Sequence, residues 1–144
     1  MGAITKTLYD TDFAEWSART AELLRAGHLP ADLENVAEEI EDLGKSERAA
    51  VGSQLERLLL HLAKQRIQPE RDGASWRSSM TDARREIRRR IDVSPSLQRY
   101  LEESLALAYQ RAVRDAIYET GTGNGVLPEQ CPWSIEELLE GEPR

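Results

Sequence analysis

The chain has 144 residues, 40% of them hydrophobic and 31% charged, and a formal net charge of −7. That size fits one domain with a real core, and the composition excludes a disordered chain. The acidic balance argues against general affinity for nucleic acid or anionic membrane. One cysteine, Cys131, leaves no internal disulfide and no clustered zinc signature.

Residues Met1 to Lys6 lack a cationic segment followed by an apolar run, so no signal peptide is read there and a cytoplasmic protein is expected. The first helix is predicted from Asp10-Thr11-Asp12, with Glu15 three positions after Asp12 as in a capping box. Phe13, Trp16, Thr20, Leu23 and Leu24 follow at helical spacing, and Gly27 and Pro30 close the segment.

The second helix is the longest. Asp32 is expected to cap it. Its apolar stripe reads Leu33, Val36, Ala37, Ile40, Leu43, Val51, Leu55, Leu58 and Leu62, a heptad-like pattern predicted to face a core. Gly44 and Gly52 lie inside it, so a bend there or a close helix crossing is expected. The run ends before Pro69. The third helix follows Asp72-Gly73, with a buried stripe of Trp76, Met80, Ala83, Ile87 and Ile91. The fourth opens at Pro95 and buries Leu97, Leu101, Leu105, Ala108, Ala112 and Ala116 before the stop at Gly121 to Gly125. Trp133 is expected to anchor the tail in a groove. Ser134 with Glu137 caps a short last helix.

No segment alternates with period two for long enough to be a strand. The expected fold is therefore all-α. It is an antiparallel up-and-down bundle of about four main helices, with one long central helix and a short C-terminal one. A single domain over residues 1–144, with flexible ends, is expected.

Two features stand outside a plain core pattern. Glu47, Gln54 and His61 are spaced by seven along one edge of the long apolar stripe, and Gln65 continues the line. Arg111 and Asp115 occupy the corresponding edge of the fourth helix. Packed together, these six residues would form a polar seam, either a network that fixes helix register or a ligand or metal site. Glu47, His61 and Asp115 are the candidate metal ligands. The template of a bundle di-metal centre is not met, because neither His28 nor His61 stands in a Glu-x-x-His pair.

Charge is also segregated. Residues 64–90 carry a net +5, while residues 1–63 and 91–144 carry −6 each. Arg84, Arg85, Arg88, Arg89 and Arg90 supply most of this basic surface. It could meet phosphates or an acidic partner, or lie against the protein's own acidic second helix. The last loop is not a phosphate loop, and no nucleophile motif is present. No catalytic residue and no cofactor is read from the sequence.

Several blocks together resemble a known family. They are Tyr9-Asp10-Thr11-Asp12-Phe13 with Trp16, then residues 32–44 (Asp-Leu-Glu-Asn-Val-Ala-Glu-Glu-Ile-Glu-Asp-Leu-Gly), then Leu60-His61-Leu62-Ala63-Lys64. Gln68-Pro69-Glu70, Ser75-Trp76-Arg77, Ser94-Pro95-Ser96-Leu97 and Pro128-Glu129-Gln130-Cys131-Pro132-Trp133 complete them. The chain from about residue 9 to 139 resembles the bacterial family called domain of unknown function 29. The resemblance implies an all-α fold and transfers no catalytic residue. The function expected is a small helical protein-interaction module, acting on a protein partner or as a homo-oligomer. The alternatives are a small-ligand or metal-binding bundle around His61 and, more weakly, nucleic-acid binding through the basic third helix.

Overall fold

The computed structural model describes residues 8–141, and the chain ends expected to be flexible lie outside that range. Residues 8–11 form a helical turn. The helices that follow are α1 (Phe13–Arg25), α2 (Leu33–Ile67), α3 (Ala74–Val93), α4 (Ser96–Thr120) and α5 (Ile135–Glu140). A 3-10 turn, Pro69–Arg71, stands between α2 and α3. No strand occurs among the described residues. The chain divides into two compact units, residues 1–45 and 46–144, and the boundary falls inside α2.

In the first unit the Asp12 side chain accepts the Glu15 N–H at 3.0 Å and starts α1. The helix ends in a Schellman motif. The His28 N–H reaches the Leu23 carbonyl and the Gly27 N–H reaches Leu24, with Gly27 at φ +80°. Trp16 is buried and donates its indole N–H to a carboxylate oxygen of Asp32 at 2.9 Å, and that carboxylate is buried as well. The expected cap residue of α2 thus turns its side chain to the tryptophan, while its carbonyl takes the Asn35 and Val36 N–H groups. Tyr9, Phe13 and Trp16 form an aromatic cluster with ring centroids 5.0–6.2 Å apart. The Tyr9 hydroxyl donates to Glu39 at 2.7 Å. This bond to a carboxylate, with burial and the charges of Glu38, Glu39 and Asp42 behind it, holds the phenol up at about 12.

The second unit is an up-down-up arrangement of α2 from residue 46 onward, α3 and α4. Its polar contacts fix the directions. Glu47 near the start of this stretch meets Arg90 near the end of α3, while Lys64 near its end lies over Trp76 at the start of α3, so the two helices are antiparallel. Glu56 pairs with Arg111 and Lys64 with Glu119, so α2 and α4 run parallel. The core gathers Val51, Leu55, Leu58, Leu59 and Leu62 of α2, Met80, Ala83 and Ile87 of α3, and Leu97, Leu101, Ala108 and Ala112 of α4. Trp133, Ile135, Leu138 and Leu139 close it from the tail. Tyr109 joins them, donating its hydroxyl to the Pro128 carbonyl at 2.6 Å and meeting Trp133 edge-on at 6.3 Å. Trp133 anchors the tail as expected. Ser134 caps α5 through the Glu137 N–H at 3.1 Å. Gly121 ends α4 at φ +70°. Two residues on, Gly123 sits at φ +101° with Ile67 so close that an added Cβ would stand 2.7–2.8 Å from its side chain. Only glycine fits that approach.

The long apolar stripe of α2 splits in two. Its second half, Val51 to Leu62, is buried as expected. The first half is corrected by the structure: Leu33, Ile40 and Leu43 are 46%, 64% and 69% exposed. The reason lies in what α1 seeks. Its aromatic side chains carry polar tips that bond carboxylates, so the covered positions of this stretch are Asp32, Asn35, Val36 and Glu39. The apolar row one step round the helix stays in water. Helical hydrogen bonding continues through both Gly44 and Gly52, and Gly52 faces the Tyr100 hydroxyl at contact distance.

Truncations along one stripe should therefore differ sharply. Leu58→Ala is expected to cost about 2–5 kcal/mol, whereas Ile40→Ala should stay within about 0.5 kcal/mol. Urea unfolding of both variants checks this, and equal losses would contradict the exposure described above.

Candidate functional site

Three groups of side chains could carry function, and each lies within one unit. The first surrounds His61 in the second unit. His61 reaches the face of α2 that meets the start of α3, and its ring lies 6.4 Å from the Trp76 ring. Lys64, one turn on, stands over the same indole at 5.7 Å and forms an ion pair with Glu119 of α4. Nδ1 of His61 and Oε1 of Gln54 are shielded atoms without a hydrogen-bond partner among the described residues. Burial pushes the imidazole below its ordinary range, and the charges of Lys64 and Arg57 push the same way against Glu119. The site favours a neutral histidine packed on an indole. Trp76 stands in the expected stripe of the third helix and Lys64 in the block around His61, but the sequence does not place them together with Glu119, because only the register of three helices does so.

The polar seam expected from sequence is distributed rather than gathered. Glu47 accepts both contacts from Arg90 Nη1 at 3.1 Å. Arg111 is exposed and donates to Glu56 at 3.3 Å. Asp115 is exposed, 3.7 Å from Arg114. Gln65 is half-buried. Arg111 and Asp115 each sit three residues beyond a buried alanine of α4, on the shoulder of its apolar stripe, so they reach solvent and do not enclose a charged seam. No group of three His, Cys, Asp or Glu side chains suited to a metal ion occurs among the described residues. Cys131 is half-buried with its Sγ 3.4 Å from the Trp133 carbonyl, and burial holds the thiol up in pKa, which suits a packed thiol and not a nucleophile.

The second group is the basic face of α3. Arg90 bridges Glu86 at 2.8 Å and Glu47, so one arginine does lie against α2. Arg89 grips Glu86 with two N–H groups at 2.7 and 3.1 Å. These bonds hold the Glu86 carboxyl down at about 2. Arg85 is exposed beside Asp82 at 3.6 Å. Arg84 is the exception in burial: only 9% exposed, it donates Nε–H to the Leu138 carbonyl of α5 at 2.8 Å. Sequence reading placed it on the surface with its neighbours. Arg84, Arg85, Arg88 and Arg89 line an open cleft of about 540 Å³ with Thr81, Asp92, Glu140 and Gly141.

The third group is the exposed row of α2 in the first unit: Leu33, Ala37, Ile40 and Leu43. Glu34, Glu38 and Glu41 run beside it. All three are exposed, and none forms an ion pair among the described residues.

The depressed imidazole gives a sign for pH dependence. A histidine held neutral in the fold but basic in the unfolded chain binds fewer protons when folded. Its contribution is present above pH 6.5 and is lost as pH falls toward the lower folded value. The stability gap between wild type and His61→Gln should widen as pH rises from 5 to 8, read by chemical unfolding at each pH. A gap that narrows over that range would mean that the fold stabilises the imidazolium.

No helix of the described residues is long and apolar enough to cross a membrane. No curated protein and no solved structure matches the chain. One family model does, over residues 8–142. That span takes in the aromatic cluster with Asp32, the leucine column of α2, the basic helix and the anchored tail, so the chain belongs to the family described as domain of unknown function DUF29.

Proposed function

We propose that the protein is a cytoplasmic helical protein-interaction module whose docking face is the first half of α2, and that its partner is a basic amphipathic helix. One observation carries this reading: Leu33, Ile40 and Leu43 stand in water on a helix that turns polar side chains to its own neighbour. Grouped exposed apolar residues of this kind mark interaction sites. With the exposed Ala37 between them, Leu33 and Ile40 follow the 4-3 spacing of a helix-pairing seam, and Leu43 continues it. The edge of the seam decides the partner's charge. Glu34, Glu38 and Glu41 would repel an acidic helix and attract Lys or Arg at the flanking positions. Pairing of two identical seams would set these rows near each other. The chain's own basic helix, α3, spends its apolar stripe on the core. Both points favour a different protein over a second copy.

The reading is tested with two synthetic helical peptides that share leucine at the seam positions, one flanked by lysine and one by glutamate. The lysine peptide should bind the full chain at least about tenfold more tightly at low salt, and the advantage should shrink as salt rises. Ile40→Glu with Leu43→Glu should abolish binding without lowering the melting temperature. Equal binding of the two peptides, or binding that survives the double substitution, would remove the α2 face as the docking site.

A further inference from the structure

In the first unit α1 and α2 run antiparallel. The Trp16 indole donates to Asp32, and Tyr9, earlier in the chain, donates to Glu39, later in the chain. The Phe13 ring stands between these two bonds, with its centroid 6.2 Å from Tyr9 and 5.3 Å from Trp16, yet it is 52% exposed. Ser17 follows Trp16, and Leu33 and Ile40 follow Asp32 and Glu39. Each therefore stands about 100° round its helix from a contact residue, in the same rotational sense. Phe13 lies on that side of Trp16 as well. In an antiparallel pair, shoulders reached by the same rotation lie on the same side of the pair. Phe13 and Ser17 of α1 thus face Leu33 and Ile40 of α2 across one groove, and all four are exposed.

The two rims of the groove differ in charge. Beyond Leu33 and Ile40, α2 carries the exposed Glu34, Glu38 and Glu41. Beyond Phe13, α1 carries Ala14, Ser17, Ala18 and Ala21, while Glu15 and Arg19 pair with each other at 2.7 Å on its opposite shoulder. Short side chains let a neighbouring helix approach closely, and a cation on that helix gains attraction from the α2 rim alone. Two helices cannot bury these apolar residues between themselves, and a third layer can. Given the docking face proposed above, on which this rests, we infer that the partner helix lies in the groove between α1 and α2 and completes a three-helix bundle, with an apolar side chain on Phe13 and its cations on one edge only. A helix seated on α2 alone would leave Phe13 in water.

Calorimetric titration of the full chain with two helical peptides tests the inference. Both carry the same leucine seam and the same number of lysines, all on one edge in the first and divided between both edges in the second. The one-edged peptide should bind about threefold or more tightly at low salt. Ser17→Glu, which sets a carboxylate on the α1 rim, should narrow that gap by strengthening the divided peptide. Phe13→Ala should weaken both peptides about tenfold or more. Ser17 is exposed and outside the aromatic cluster, so its arm holds even where Phe13→Ala loosens α1. Binding that is lost with Ile40→Glu and Leu43→Glu, yet indifferent to Phe13→Ala and to the arrangement of lysines, would overturn the groove and leave the α2 face standing. Failure of both peptides to bind would remove face and groove together. A chain that sediments as a dimer, and as a monomer with Phe13→Glu, would overturn the inference in favour of a second copy.

Discussion

Everything in the larger unit closes on one column of side chains, Val51, Leu55, Leu58 and Leu62 on α2. Their three- and four-residue spacing keeps them on a single helical face, and α3, α4 and the tail each present an apolar stripe to that face. The tail contributes as much as a main helix would, because Trp133, Ile135, Leu138 and Leu139 are all buried. A short segment without length of its own is stable only when a large apolar area holds it down. The polar contacts at the edges, Glu47 with Arg90 and Lys64 with Glu119, set direction and register more than stability.

The same helix serves a different chemistry in its first half. There a buried tryptophan bonds a buried carboxylate, and a tyrosine bonds a second one. Polar groups removed from water must be paired, and this requirement orients α1 on the acidic side of α2. The apolar row is what remains uncovered. The first unit thus shows a leucine-isoleucine row beside exposed glutamates, while the second carries a cluster of arginines on α3.

Local signals were legible in the sequence. Asp12 with Glu15 and Ser134 with Glu137 are caps, as their spacing indicated. The stripes of α3 and α4 turn to the core, with Trp76, Ile91 and Leu105 half-buried and the rest buried, since three- and four-residue periodicity maps directly onto one face. Periodicity names a face but not its occupant, which is why Leu33, Ile40 and Leu43 read like Leu55 and Leu58. The line Glu47, Gln54 and His61 does run along one edge of α2, yet what each meets depends on the register of α3 and α4. Glu47 finds an arginine, while His61 lies beside a tryptophan. Arg84 could not be told from Arg85 by sequence, because its burial is imposed by α5, 54 positions away in the chain.

The anchored tail has one more consequence. Leu138, whose carbonyl holds Arg84, and Cys131, whose sulfur lies against the Trp133 carbonyl, belong to the same short stretch of chain. Cys131 is the sole thiol, and burial suppresses its ionisation. The thiol is only half-buried, so a reagent can meet it with the tail in place, whereas lifting the tail would take the Leu138 carbonyl away from Arg84. Docking of the tail is thus coupled to α3 through one buried side chain, because the carbonyl that holds the Arg84 Nε–H leaves with the tail.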